Sequence, residues 1–380
     1  MLDTAAAPTR SSDPVGRLAS VLVGQGMAEG LAAVGIAPAE ELSEARRHLV
    51  ERRRRGLHAG MQFTYRNPDR STEPQRILPG ARSLVVGAWG YERERPGPVE
   101  PAPAQGHASS ARPTGSVARY SHRDHYGPLR RTLHSMAETL VAHGWRATVV
   151  CDDNALVDRA AAHRAGLGWF GKNTLLLLPG LGSWFLLGSV VTDAPLWEAD
   201  GPTAAPMEHG SGCGRCTRCR DACPTGALDE PGVLDAHRCL AWLLQAPGPI
   251  PPEFREALGR RVYGCDACQQ ACPINQVAGR RHPPPPAEAD GDGEVDLLAL
   301  LEMDDGEILV RFGRFYIPGR EARYLRRNAL VALGNVGDGS DPATVTALRR
   351  ALGHPDPLIV EHASWAARRL GRGDLARRGT

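Results

Sequence analysis

Lysine is almost missing from this chain of 380 residues: Lys172 is the only one, and every other basic residue among the 45 is arginine. A coding bias that favours arginine explains the general pattern. The lysine that remains suggests a position where a compact ammonium is wanted rather than a planar guanidinium. Net charge is nearly missing too, at +2, so no global basic character announces a nucleic-acid partner. No run approaches the ~20 apolar residues that a membrane span requires. The opening stretch MLDTAAAPTRSSDP has neither a basic segment followed by an apolar core nor a twin-arginine signal. The expectation is a soluble cytoplasmic protein with no membrane partner and nothing that demands a dimer, hence a monomer. There is no dinucleotide fingerprint: GLGWFGKNT follows a helical stretch and opens a strand, the reverse of the order that G-x-G-x-x-G needs. A C-x-x-C-H haem attachment site is likewise absent.

Cysteine is what the chain does have, and it is concentrated. Residues 213 to 224 read CGRCTRCRDACP, a C-x2-C-x2-C-x3-C-P run, and residues 265 to 273 read CDACQQACP, a shortened echo. Cubane iron-sulfur clusters take four thiolates each, and in two-cluster ferredoxins the fourth cysteine of one run ligates the other cluster. That rule groups Cys213, Cys216 and Cys219 with Cys272 for a first 4Fe-4S cluster. It sends Cys223 across to Cys265 and Cys268 for a second, one ligand short. Cys239, in HRCLAW between the runs, completes it. The alternative is a structural zinc made from two CxxC pairs, which needs only four ligands and leaves Pro224 and Pro273 unexplained. Cys151 stands alone, as a small buried strand residue. Eight cysteines at metal spacing, rather than disulfide spacing, fit a reducing compartment.

Around the cysteines the chain divides into an expected multidomain α+β protein. Residues 15 to 60 carry helical periodicity, with Arg46, Arg47 and Arg52 to Arg55 on a solvated, ion-paired face. Short apolar strands follow at Ser83 to Ala88, Thr148 to Cys151, Leu175 to Leu178 and Ser183 to Val191, with helices at Pro128 to His143 and Leu156 to Ala165. These place an α/β catalytic domain over residues 1–200, with Tyr91 to Pro113 a proline-rich excursion. The two-cluster ferredoxin-like module spans 201–285, a linker and helices 286–319, and a helical repeat 320–380. In the last, RNALVALG and EHASWAARRLG superpose at an offset of 34, the period of a short HEAT-like unit. Arg323, Arg326, Arg327 and Arg368 on it could follow a phosphate backbone, or simply be a solvated face. Two interlocked cubanes relay single electrons. About 200 residues precede them, which favours a reductase with a terminal cofactor over a bare electron-transfer ferredoxin fused to an unrelated domain.

In order along the chain, AGLGWFGKNTLLL, GSWFLLGSVVTD, CGRCTRCRDACPTGAL, RCLAWLL, GPIPPEFR, YGCDACQQACPIN and LRRNALVALGN resemble the epoxyqueuosine reductase family, from about residue 60 to 370. The resemblance implies an oxidoreductase of tRNA processing. Such enzymes reduce epoxyqueuosine to queuosine at the wobble position of tRNA, with electrons from a flavodoxin or ferredoxin passing through two 4Fe-4S clusters to cobalamin. It implies the cluster ligands already grouped, and HEAT-like helices that help hold the tRNA. By the same similarity Asp152 is the proton donor, in a motif completed by Asp158, Arg159 and Ala160; its plain alternative is a cap for the helix after it. Cobalamin contacts are implied at Arg70, Asp152, Leu176, Leu187, Ala246, Cys265 and Asp266. Lys172, in the family's GKN turn, is a candidate for substrate contact or proton relay. A reductive dehalogenase-like enzyme, with the same cofactor set, is the runner-up.

Overall fold

The computed structural model describes residues 14–91, 112–200, 211–281 and 293–376. Residues 92–111 of the proline-rich excursion, and 201–210 and 282–292 on either side of the cysteine runs, lie outside the described residues. The strands are β1 Ala33–Pro38, β2 Ser83–Gly90, β3 Thr114–Val117, β4 Ala147–Val150, β5 Trp169–Phe170, β6 Leu176–Leu177, β7 Phe185–Thr192, β8 Arg261–Tyr263 and β9 Glu294–Asp296. They belong to two compact units, one drawn from Met1–Tyr91 and His125–Cys216, the other from Glu92–Asp124 and Thr217–Thr380.

In the first unit a four-stranded sheet runs β1-β2-β7-β4. All three of its pairings are antiparallel. One expectation is corrected: the helical periodicity read over residues 15 to 60 breaks after the helix Pro14–Ala28 into strand β1, before helix resumes at Ser43–Arg54. Valine and isoleucine on an edge partner of β2 outweigh the alanines around them. Every residue of β7 is buried because both faces are covered. Helices Pro14–Ala28 and Tyr126–Ala142 lie on one side and Asp158–Arg164 on the other. Gly188 admits the longer helix: a Cβ there would sit 2.5 Å from Leu133.

The second unit has a three-stranded sheet, β8-β3-β9, with β3 parallel to β8 and antiparallel to β9. Thr114–Val117 therefore pairs with strands far along the chain and not with the first sheet. Helices Arg323–Val336, Pro342–Leu352 and Pro357–Arg369 pack on this sheet and one another around Ala329, Leu333, Leu348 and Ala366. Tyr263 and Phe315 stack in the same core, ring centroids 4.1 Å apart.

Candidate active site and iron-sulfur ligands

Chain direction brings the second-unit cysteines together in short helical turns. Cys219 sits in the turn Arg218–Asp221, Cys239 caps Leu240–Leu243, and Cys265 and Cys268 flank the start of Ala267–Gln270. Pro273 opens the next helix, Pro273–Arg281, directly after Cys272. Burial pushes the Cys265 thiol up to about 11, with the Cys239 charge adding to it. Burial also holds Cys268 well above the ordinary thiol range, and the charges of Cys265, Cys239 and Cys219 raise it further. Cys239 is raised by burial, partly offset by backbone N–H groups of Trp242 and Ala241, and feels Cys223. The three raised thiols, Cys239, Cys265 and Cys268, favour their protonated form unless a cationic group joins them. Iron would supply that charge, with binding coupled to loss of the protons. The donor set also fits a cluster in its surrounding N–H groups: Ala227 N donates to Cys223 Sγ at 3.2 Å. All nine cysteines are free thiols. Among the described residues no three His, Cys, Asp or Glu side chains gather as they would on a single metal ion.

Asp152 follows β4 by two residues and has φ +54, a left-handed backbone that aspartate adopts more readily than most residues with a side chain. Its carboxyl is reached by water on one side, while the protein crowds the other. The crowding raises its pKa; the Arg130 charge and a hydrogen bond with Tyr126 work the other way. Arg130 itself donates to the Cys151 carbonyl at 3.3 Å and lies 5.6 Å from the Tyr126 ring centroid. The capping role is not Asp152's: the helix starts at Asp158, its N-cap is Val157, and no side chain caps it. Asp153 accepts from Ala155 N at 2.8 Å. Asp158, which sequence reasoning used only as a motif marker, is the more unusual carboxyl. Its Oδ1 is buried with no hydrogen-bond partner among the described residues. Burial, then the Asp152 charge, hold it well above the ordinary carboxylate range.

The expected cobalamin contacts fall in several settings. Arg70 lines a cavity of about 410 Å³ with Phe63, Arg66, Asn67 and Asn154, the last two residues beyond Asp152. Leu176 and Leu187 are core residues, 2% and 8% exposed. Asp266 accepts from the Arg119 backbone N–H at 2.8 Å, and Ala246 offers its carbonyl to Arg327 at the same distance. Lys172, expected at substrate or in a proton relay, donates to the carbonyls of Gly214 at 2.5 Å and Cys216 at 3.1 Å.

One expectation on the C-terminal helices is overturned. Arg327 cannot touch a phosphate backbone, because it is fully buried. Its guanidinium instead donates to the carbonyls of Leu243, Leu244, Ala246 and Gly248, at and just beyond the C-terminal end of the short helix Leu240–Leu243, where carbonyls have no donor within the helix. Burial lowers its pKa to about 9, so it remains charged near neutrality. Arg326 pairs with Asp305, and Arg323 with Glu321 at 2.7 Å and Asp356 at 3.5 Å. Arg368 is exposed.

The family model "4Fe-4S double cluster binding domain" matches residues 212–275. Over 373 residues the chain is 36% identical to the epoxyqueuosine reductase of Pseudomonas aeruginosa, covering 94% of this chain and 96% of that one. The enzyme of the same name from Burkholderia pseudomallei is 34% identical, with 96% of each covered. Among solved structures, an epoxyqueuosine reductase with an epoxyqueuosine-modified tRNA-Tyr stem loop superposes with a TM-score of 0.80 at 30% identity, across 94% of this chain and 91% of that one. Similarity of this extent favours neither the dehalogenase-like nor the fused-ferredoxin reading. With two cubane ligand sets in its second half and relatives matched almost end to end, the chain belongs to the epoxyqueuosine reductase family of oxidoreductases.

Proposed function

We propose that this chain reduces epoxyqueuosine to queuosine in tRNA, with two 4Fe-4S clusters feeding electrons to a cobalamin and Asp152 supplying a proton. The observation that carries the proton-donor role is the Asp152 carboxyl, raised in pKa and carried on a left-handed backbone two residues before Asn154, which lines the cavity. The reaction breaks the epoxide C–O bonds, consumes two electrons and two protons, and releases the oxygen as water. Cobalamin, when bound, supplies a strongly reducing, nucleophilic metal centre. Arg66, Arg70, Asn67 and Asn154 give the cavity wall guanidinium and amide groups suited to the amide and phosphate periphery of a corrinoid. The cavity is smaller than the whole cofactor, so these residues would hold an edge of it. Leu176 and Leu187 would contribute mainly backbone, their side chains being committed to the core.

The clusters are assigned to Cys213, Cys216, Cys219 and Cys272, and to Cys223, Cys239, Cys265 and Cys268. A one-electron donor of the flavodoxin or ferredoxin kind fits the relay. The three C-terminal helices are read as a HEAT-like unit, with Arg368 the remaining candidate for phosphate contact, and the protein as a cytoplasmic monomer. Reading residues 1–200, 201–285 and 320–380 as catalytic, cluster and repeat segments belongs to the same proposal. It is tested by the queuosine content of tRNA from cells with and without the gene. Epoxyqueuosine should accumulate without it; unchanged queuosine overturns the assignment.

A further inference from the structure

The glycine-rich stretch 166–174 does not open a helix as a nucleotide loop would. It is the hairpin β5–β6, in which Trp169 and Phe170 pair with Leu177 and Leu176. Its tip closes on the first cysteine run. Gly212 lies so near the Trp169 indole that a Cβ there would sit 2.3 Å from Nε1. That buried Nε1 has no acceptor among the described residues. Two residues beyond Gly212 the Lys172 ammonium takes over, spanning the carbonyls of Gly214 and Cys216. Between them Cys216 N donates to the Cys213 carbonyl at 3.0 Å, so one tight turn carries two cluster ligands and is held at both ends from the hairpin.

We infer that Lys172 is the positioning residue of the first cluster: its ammonium seats the Cys213–Cys216 turn and fixes a positive charge beside that cluster, raising its reduction potential. This rests on reading residues 212–275 as a double-cluster domain. The couple is a one-electron one, in which the cluster gains one negative charge and no bond is made or broken. A fixed cation stabilises the reduced form, and charge is among the levers that set cluster potentials. Arg215 in the same turn is exposed, so water screens it more than the half-buried ammonium. A compact ammonium can donate along two carbonyl directions at once, and a guanidinium in its place would keep the charge.

The test is an anaerobic dithionite titration of the purified full chain, followed by electron paramagnetic resonance, with iron counted per chain. In Lys172→Met one cluster should become harder to reduce, its reduced-to-oxidised ratio falling about tenfold at the wild-type midpoint, equivalent to 59 mV for one electron. The other cluster should not move. Lys172→Arg should stay near the wild-type value. If Lys172→Met binds only half the iron, Lys172→Gln is titrated in its place. Loss of one cluster from both neutral variants, with a full complement in Lys172→Arg, also supports the seat. Unchanged midpoints in a neutral variant, a shift shared equally by both clusters, or Lys172→Arg behaving like Lys172→Met overturns it. A wild-type chain that holds fewer than two clusters would instead defeat the double-cluster reading beneath it.

Discussion

Arg327 donates through Nη1 to the Ala246 carbonyl at 2.8 Å, tying the C-terminal helix to the segment that follows Cys239. Its neighbour Asn328 does the same for Leu244 and Val262, both at 2.9 Å. Removing the guanidinium strands several buried carbonyls, each costing ~1–3 kcal/mol. Arg327→Ala should therefore lower stability by roughly 3 kcal/mol or more in urea unfolding. Arg368→Ala should leave the unfolding midpoint in place and reduce the salt dependence of tRNA binding by about one phosphate contact.

A general acid contributes typically ~10²–10⁴ in rate. Asp152→Asn should lose that much in single-turnover assays while iron and cobalamin contents stay at wild-type levels. Because the protonated carboxyl is the donor, activity should fall as pH rises through its raised pKa. Tyr126→Phe removes a hydrogen bond that lowers that pKa, so the falling limb should move to higher pH. A limb that stays put would detach Asp152 from the proton step.

Asp158 predicts a pH dependence of stability with a definite sign. Its folded pKa lies above the unfolded one, so the folded state binds its proton more tightly. The stabilisation is complete below the unfolded carboxyl pKa and is lost as pH rises through the folded value. Asp158→Asn, which cannot titrate, should show a flatter profile of urea midpoint against pH, with its advantage over the wild type growing toward alkaline pH. Parallel profiles would place the carboxyl in a solvated environment.

The sequence rule that assigns Cys239 to the second cluster is tested by iron counting. Cys239→Ser should fall from about eight irons per chain to about four, or hold one cluster that is readily lost. Cys151→Ser should keep all of them. Burial pushes the Cys151 thiol up to about 12, where it is a core residue and not a ligand.

Cluster spacing is legible in one dimension because each ligand set is built from turns of three or four residues, whose geometry travels with the local sequence. Asp152 at the end of a strand is legible for the same reason. What decides β1 is not local: AVGIAP continues an alanine-rich helical pattern, and becomes strand only because β2 offers it a ladder about fifty residues later. TGSV at 114–117 likewise acquires partners from 261 and 294 onward. Arg327 reads as one more surface arginine in a helix; the carbonyls that claim it lie some eighty residues upstream. The lone lysine was conspicuous as a letter, but its partners come from a turn more than forty residues away.

That lone lysine makes Nζ of residue 172 the protein's single side-chain primary amine. Amine-directed acylating reagents thus have one internal target. While Nζ donates to two carbonyls it is shielded from such reagents, and labelling is slow. The rate of modification, followed by intact mass, becomes a direct reporter of how often the hairpin lets go of the first cysteine turn.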